Sequence, residues 1–207
     1  MTMNSRLVEY IEREIIPLYL SFDKAHQTEH VDEVIKRSLE LAEHYDVNIN
    51  MVYTIAAYHD TGLTEGRERH HIVSGEILEA DLELRKYFTT EQIAVMREAV
   101  EDHRASSDHE PRSIYGRIVA EADRLIVPQT IIRRTVQYGL SHYPELTRHE
   151  HFLRCKEHLI EKYGETGYLK LWIPHSDNAV RLAELREIIA NPTLLKSLFE
   201  SIFDEEL

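Results

Sequence analysis

Thirteen histidines in 207 residues are a large supply of imidazole, the side chain that most often binds transition metals and titrates near neutrality. Their positions matter more than their number. The adjacent pair His59-Asp60 follows the apolar positions Met51, Val52, Ile55 and Ala56 and precedes Gly62, so two ligating groups arrive where a helix ends and the backbone turns. His30 lies 29 residues upstream, at the start of a second apolar stripe, and two antiparallel helices would bring it opposite the pair. Asp123 interrupts Ala120-Glu121-Ala122-Asp123-Arg124-Leu125, where a carboxylate is costly to bury unless it is paired, hydrogen-bonded or bound to a cation. Two imidazoles and two carboxylates make a mixed nitrogen and oxygen donor set suited to Mn, Fe, Co, Ni or Zn. Taken singly, a histidine on an apolar face is usually a core residue and an aspartate at a helix end usually a cap. The joint arrangement is what points to a metal.

These residues need elements to hold them, and helical periodicity supplies them along almost the whole chain. Leu7, Tyr10, Ile11, Ile15 and Leu18 make a first stripe that Pro17 ends or kinks. Val31, Val34, Ile35, Leu39, Ala42 and Tyr45 make a second, and Met51 to His59 a third. A fourth helix is expected from about His71 to Leu84, and a fifth opens at a capping box, Thr89 with Gln92. The fifth carries Ile93, Met96, Val100 and His103 on one face, so its buried stripe also ends in histidine. Pro111 suits the first turn of a sixth, and further helices are expected at about 129–140, 149–163, 178–190 and 193–203. Tyr168 to Ile173, before Pro174, reads as a short strand. The expectation is an all-α fold forming a single domain over 1–207, with a metal-binding core at 23–125 and a helical extension at 126–207.

Composition narrows the function classes. A formal charge of −13 disfavours an unspecific grip on nucleic acid, and an anionic substrate must be met by local cations or by metal. The lone Cys155 excludes an intramolecular disulfide and a thiolate zinc cluster; it reads as a small buried hydrophobe in a reducing, cytoplasmic setting. No apolar run approaches the length of a membrane helix, and the start leads into acidic sequence rather than a secretory signal. The seven glycines and most of the six prolines fall between helices, with no repeat and no low-complexity linker.

Three segments resemble the HD-domain superfamily of metal-dependent phosphohydrolases: Asp23-Lys24-Ala25-His26-Gln27-Thr28-Glu29-His30-Val31-Asp32-Glu33-Val34, Ala56-Ala57-Tyr58-His59-Asp60-Thr61-Gly62, and Ala120 to Leu125. The resemblance implies an HD-type helical bundle in which His30, His59, Asp60 and Asp123 hold one divalent ion. It further implies that His71, followed four residues later by Gly75, and His103 hold a second ion, with Asp60 bridging the two. The cofactor would be one or two divalent transition metals per chain. His26 would orient a ligand or cap its helix, and His70 is the alternative register to His71. The chain departs from several branches: His103 is followed by no second histidine and no Gly-Tyr-Pro, and Leu63 stands where two-metal members often carry lysine. It looks most like the small bacterial HD-domain hydrolases.

A bound metal lowers the pKa of its water from 15.7 toward about 7. The resemblance therefore implies attack of metal-bound hydroxide on a small phosphomonoester or nucleotide, with Asp60 orienting the nucleophile. Arg104, next to His103 and before Ser106 and Ser107, is the arginine best placed to hold phosphate, ahead of Arg67, Arg69 and Arg124. The C-terminal third carries Arg133-Arg134 and the aromatics Tyr138, Tyr143, Tyr163, Tyr168 and Trp172, which could line a pocket or stack on a base but read first as packing between helices, and Glu205-Glu206 reads as a solvated tail. Two other functions fit an HD fold: a mixed-valent di-iron oxygenase, and a nucleotide-binding module without turnover. The expected partner is a small phosphorylated metabolite or nucleotide, without membrane or stable nucleic-acid partner; a homo-oligomer is compatible with the sequence.

Overall fold

A computed structural model describes residues 2–22, 28–107 and 109–207. Ten α-helices and no strand are found among the described residues. By the packing of its backbone the chain divides into two compact units, one running to Arg124 and including Trp172–Ser176, the other comprising Leu125–Leu171 and Asp177–Leu207.

The first unit is built around an apolar helix. α1 (Ser5–Glu14) is capped by Asn4, whose side chain accepts from the amides of Arg6 and Leu7. Pro17 then opens a 3-10 turn, Ile16–Ser21. α2 (Thr28–Ala42) and α3 (Ile49–Tyr58) follow, and every residue of α3 from Met51 to Tyr58 is buried. A helix apolar all round has to be central. α3 accordingly packs against α2, against α5 (Thr90–Glu101) and against α6 (Ile114–Asp123). α4 (His70–Ala80) lies against α5 and against the 3-10 turn Thr61–Glu65 that follows α3.

Local chemistry sets the boundaries. The Thr89–Gln92 capping box forms at the start of α5. α4 stops at Ala80 rather than near Leu84, because Asp81 accepts from the Glu83 amide and caps a separate 3-10 turn, Leu82–Lys86. α6 starts at Ile114 rather than at Pro111, because the Ser113 hydroxyl accepts from the Gly116 amide. Residues 168–173 are not a strand. The amides of Tyr168 and Leu169 donate to the carbonyls of Glu161 and Lys162, so the chain folds back over the last turn of a helix and finds no ladder partner. Beyond this point Ile173 joins the first unit's core, and the Trp172 amide donates to the buried Glu121 carboxylate at 2.8 Å.

The second unit holds α7 (Pro128–His142), α8 (Arg148–Tyr163), α9 (Asn178–Ala190) and α10 (Pro192–Glu206) around Ile132, Leu159, Leu185 and Phe199. Glu205 and Glu206 are not a free tail: both pair with Arg133, which ties α10 to α7. Tyr163 is buried as expected of packing, whereas Tyr138, Tyr143 and Tyr168 are exposed, with the Arg154 guanidinium over the first two rings. Cys155 is buried, and burial pushes its thiol up to about 12. At pH 8 its thiolate fraction is then on the order of 10⁻⁴, and thiolate is the reactive form. The native protein is expected to react with an aromatic disulfide reagent at least ~100-fold more slowly than protein in denaturant. Equal rates, followed by absorbance, would contradict the burial.

Candidate metal centre

Five helices bring their ends or first turn to one place. α3 carries helical backbone through His59, and Asp60 then leaves it at φ −111°, ψ 6°, so neighbouring side chains leave the helix end side by side. His30 is the third residue of α2, His70 the first of α4 and Asp123 the last of α6. His103 follows Asp102, which caps the C-terminus of α5. His59, Asp60 and His103 are buried, while His30, His70 and Asp123 are half-buried.

The Asp60 carboxylate divides the cluster in two. Its Oδ2 lies 3.4 Å from His59 Nε2 and 3.7 Å from His30 Nε2. Asp123 Oδ1 closes this side at 3.2 Å from His30 Nε2 and 3.9 Å from His59 Nε2. The other oxygen, Oδ1, lies 3.3 Å from His70 Nε2 and 3.4 Å from His103 Nε2. Within each half the imidazole nitrogens also converge, at 3.3 Å for His30 and His59 and 3.2 Å for His70 and His103.

Hydrogen bonding on the far side of the rings explains what these nitrogens can do. The Nδ1 atoms of His59, His70 and His103 lie 2.7, 2.8 and 2.6 Å from the carbonyl oxygens of Ala56, Arg67 and Val100. A carbonyl only accepts, so each Nδ1 carries the proton and each Nε2 of the neutral ring presents a lone pair to the centre. Converging lone pairs and carboxylate oxygens repel one another unless a cation lies among them. Without a metal the demand falls on protons. Burial works against charge on His59, but Asp60 and Asp123 outweigh it and raise the ring to about 9. Burial likewise opposes ionisation of Asp60, yet His59 and His103 hold it well below the usual carboxylate range; His30 and His59 do the same for Asp123. The donor set fits a transition ion in each half: two imidazoles with the Asp60 and Asp123 oxygens, and two imidazoles with the second Asp60 oxygen.

Five of the six residues expected at the metals, His30, His59, Asp60, Asp123 and His103, come together here. His71 does not: His70 takes its place. Successive residues of a helix point about 100° apart, so only one of the pair can face Asp60. Two contacts fix the register. Gly62 donates its amide to Ser74 Oγ at 2.8 Å, and a Cβ on Gly62 would stand 2.2 Å from the His70 carbonyl and 2.6 Å from the Ser74 amide. Gly75, whose spacing pointed to His71, instead lets α4 approach Arg97 and Glu101 on α5. His71 has a buried Nδ1 with no hydrogen-bond partner among the described residues, and burial, with His103, His70 and Arg104 near it, lowers its pKa to about 4. His26 lies outside the described residues.

The arginines separate equally clearly. Arg124 is buried and donates to the Ala120 carbonyl of its own helix, Arg67 supplies the carbonyl that orients His70, and Arg69 is exposed. Arg104 forms no ion pair among the described residues; its Nη1 donates to the Glu68 carbonyl at 2.9 Å. It lines a cleft of about 620 Å³ with His71, Ser106, Ser107 and His109. The acids of that cleft among the described residues are occupied, Glu101 by Arg97 and Arg112 and Glu110 by Arg117.

The family model for the HD domain matches residues 28–127, a span that contains both halves of the cluster. No curated protein and no solved structure matches the chain.

The register of α4 can be tested by elemental analysis after saturation with Mn²⁺. His59→Ala and Asp60→Ala are expected to lose most of the metal. His70→Ala and His103→Ala should each lose the ion of one half only, and His71→Ala should retain wild-type content. Loss with His71→Ala and retention with His70→Ala would reverse the assignment. Gly62→Ala, which forces backbone apart, should cost about 1–3 kcal/mol of stability and reduce metal as His70→Ala does.

Proposed function

The chain belongs to the HD-domain superfamily, and from that premise we propose that it is a metal-dependent phosphohydrolase acting on a small phosphomonoester or nucleotide. The observation that carries the reading is the division of the Asp60 carboxylate between two converging imidazole pairs. His30, His59 and Asp123 with Asp60 Oδ2 would hold one divalent ion, and His70 and His103 with Asp60 Oδ1 a second. When bound, such ions polarise a phosphoryl oxygen and acidify water. Asp60, with an oxygen toward each half, is the carboxylate best placed to orient the attacking water. Arg104 supplies a guanidinium fork that no carboxylate occupies among the described residues, in a cleft where Glu101 and Glu110 are already paired. Ser106 and Ser107 add hydroxyl donors beside it. His71, held neutral near pH 7, can offer a ring nitrogen to the same cleft without adding charge.

The screen that tests this reading presents metal-reconstituted protein with phosphorylated metabolites and scores released phosphate. Turnover should need added divalent metal, place solvent oxygen in the phosphate product, and proceed unchanged without O₂. Strict oxygen dependence with no ester cleaved would replace the reading with the di-iron oxygenase. Arg104→Ala is expected to lower kcat/KM by on the order of 10²-fold, as loss of a charge-assisted fork should, with Arg104→Lys recovering only part because an ammonium cannot bind phosphate bidentately. An Arg104→Ala variant with wild-type kcat/KM would remove Arg104 from the site.

A further inference from the structure

The last carbonyls of a helix have no partner within it, and α3 ends inside the core where water cannot serve them. Side chains take those of the last three residues. The Ala56 carbonyl receives His59 Nδ1, the Tyr58 carbonyl receives the Thr61 hydroxyl at 2.8 Å, and the Ala57 carbonyl receives the Tyr19 hydroxyl at 3.0 Å. Tyr19 is the one that comes from a distant part of the chain. It belongs to the 3-10 turn after α1, is fully buried, and lies outside the stretch that matches the HD domain. Its oxygen also accepts from the Asp60 amide at 3.2 Å.

Ala57 and Asp60 stand three residues apart, the spacing that a 3-10 bond would close directly. The Tyr19 hydroxyl stands between them, donating to the carbonyl and accepting from the amide, so the turn is held open by one oxygen. We infer that Tyr19 is a positioning residue for Asp60: its hydroxyl holds the α3 terminus open and thereby sets the carboxylate at the height where one oxygen serves each half of the metal centre. The proposal rests on the metal reading above. Without the hydroxyl the Ala57 carbonyl and Asp60 amide are left to close on each other, which displaces the Asp60 backbone. Because both halves share that carboxylate, both should weaken together, whereas loss of His70 or His103 affects one.

Tyr19→Phe keeps the ring, with its edge-on contact to Phe22 at 5.2 Å between centroids, and removes only the oxygen. The probe is Co²⁺ alone, titrated into metal-free protein and followed by its visible absorption. Y19F is expected to bind Co²⁺ about 10- to 100-fold more weakly, the usual cost of losing a group that orients a metal ligand, with a changed ligand-field spectrum. Tyr115→Phe is the control, because it deletes a hydroxyl that accepts from the Asn48 amide at 2.9 Å, at the opposite end of α3 from Asp60. It should lower the melting temperature while leaving Co²⁺ affinity and spectrum at wild-type values. Wild-type affinity and spectrum in folded Y19F overturn the proposal, as does an equal effect of Y115F. Should circular dichroism find Y19F unfolded, the same titration is decided by 3,5-difluorotyrosine at position 19, which keeps the hydroxyl but weakens it as an acceptor; an unchanged spectrum and affinity overturn the proposal there too. Failure of the wild-type protein to take up Co²⁺ overturns the metal reading itself, and Tyr19 with it.

Discussion

The arrangement depends on lone pairs that face one another. His70 and His103 face each other through Nε2 atoms 3.2 Å apart, each with its Nδ1 proton committed to a backbone carbonyl on the far side of the ring, and His59, held in the same way, points at His30 at 3.3 Å; such lone pairs are tolerable only around positive charge. Much of the first unit follows from supplying that geometry. α3 must be apolar on all sides, because it has to carry His59 and Asp60 into the middle of a bundle. α2, α4, α5 and α6 must each bring a residue to its C-terminal end. Rigidity comes from the carbonyls. Those that orient His59 and His103 lie three residues before them, in the last turn of each helix, so the groups a helix leaves unsatisfied at its end are the groups that fix the tautomers.

The same reasoning separates what was legible in the sequence from what was not. His59-Asp60, His30 and Asp123 could be picked out because an apolar stripe that runs into a histidine or an aspartate is a local pattern, and the structure brings all four together. The second pair was legible only in part. His103 ends a periodic stripe, but the choice between His70 and His71 is made by Gly62 against the start of α4, a contact across a turn that no periodicity encodes. Gly75 misled because its spacing of four from His71 matched the family pattern, while in the structure the glycine serves the packing of α4 on α5. Tyr19 could not be found at all. Its sequence neighbourhood, with Pro17 and Leu18, reads as the ragged end of an amphipathic helix, and the value of its hydroxyl depends on two backbone atoms some forty residues away.

The elements beyond Arg124 show the complementary limit. Helix positions were readable there from spacing alone, and α7 to α10 fall close to them. Pairing was not, because ion pairs such as Arg133 with Glu205 and Glu206 join residues distant in sequence. The segment before Pro174 has strand-like composition without a strand. A row of apolar and aromatic residues becomes a strand only when a neighbour offers a ladder, and here the amides of Tyr168 and Leu169 are taken by the end of α8.

Charge completes the argument. A chain of net charge −13 repels phosphate at long range, so recognition must be won at short range by cations that the rest of the protein has not neutralised. Several arginines of the first unit are already committed. Arg97 and Arg112 bind Glu101, Arg117 binds Glu110, and Arg124 turns back on its own helix. Arg104, one residue after His103, donates to a backbone carbonyl and forms no ion pair among the described residues, while those pairings neutralise Glu101 and Glu110 beside it. A cleft lined by Arg104, with Glu101 and Glu110 neutralised, is electrostatically suited to an anion. The proposed phosphate substrate therefore rests on Arg104, and it can be tested separately from the metal ligands themselves.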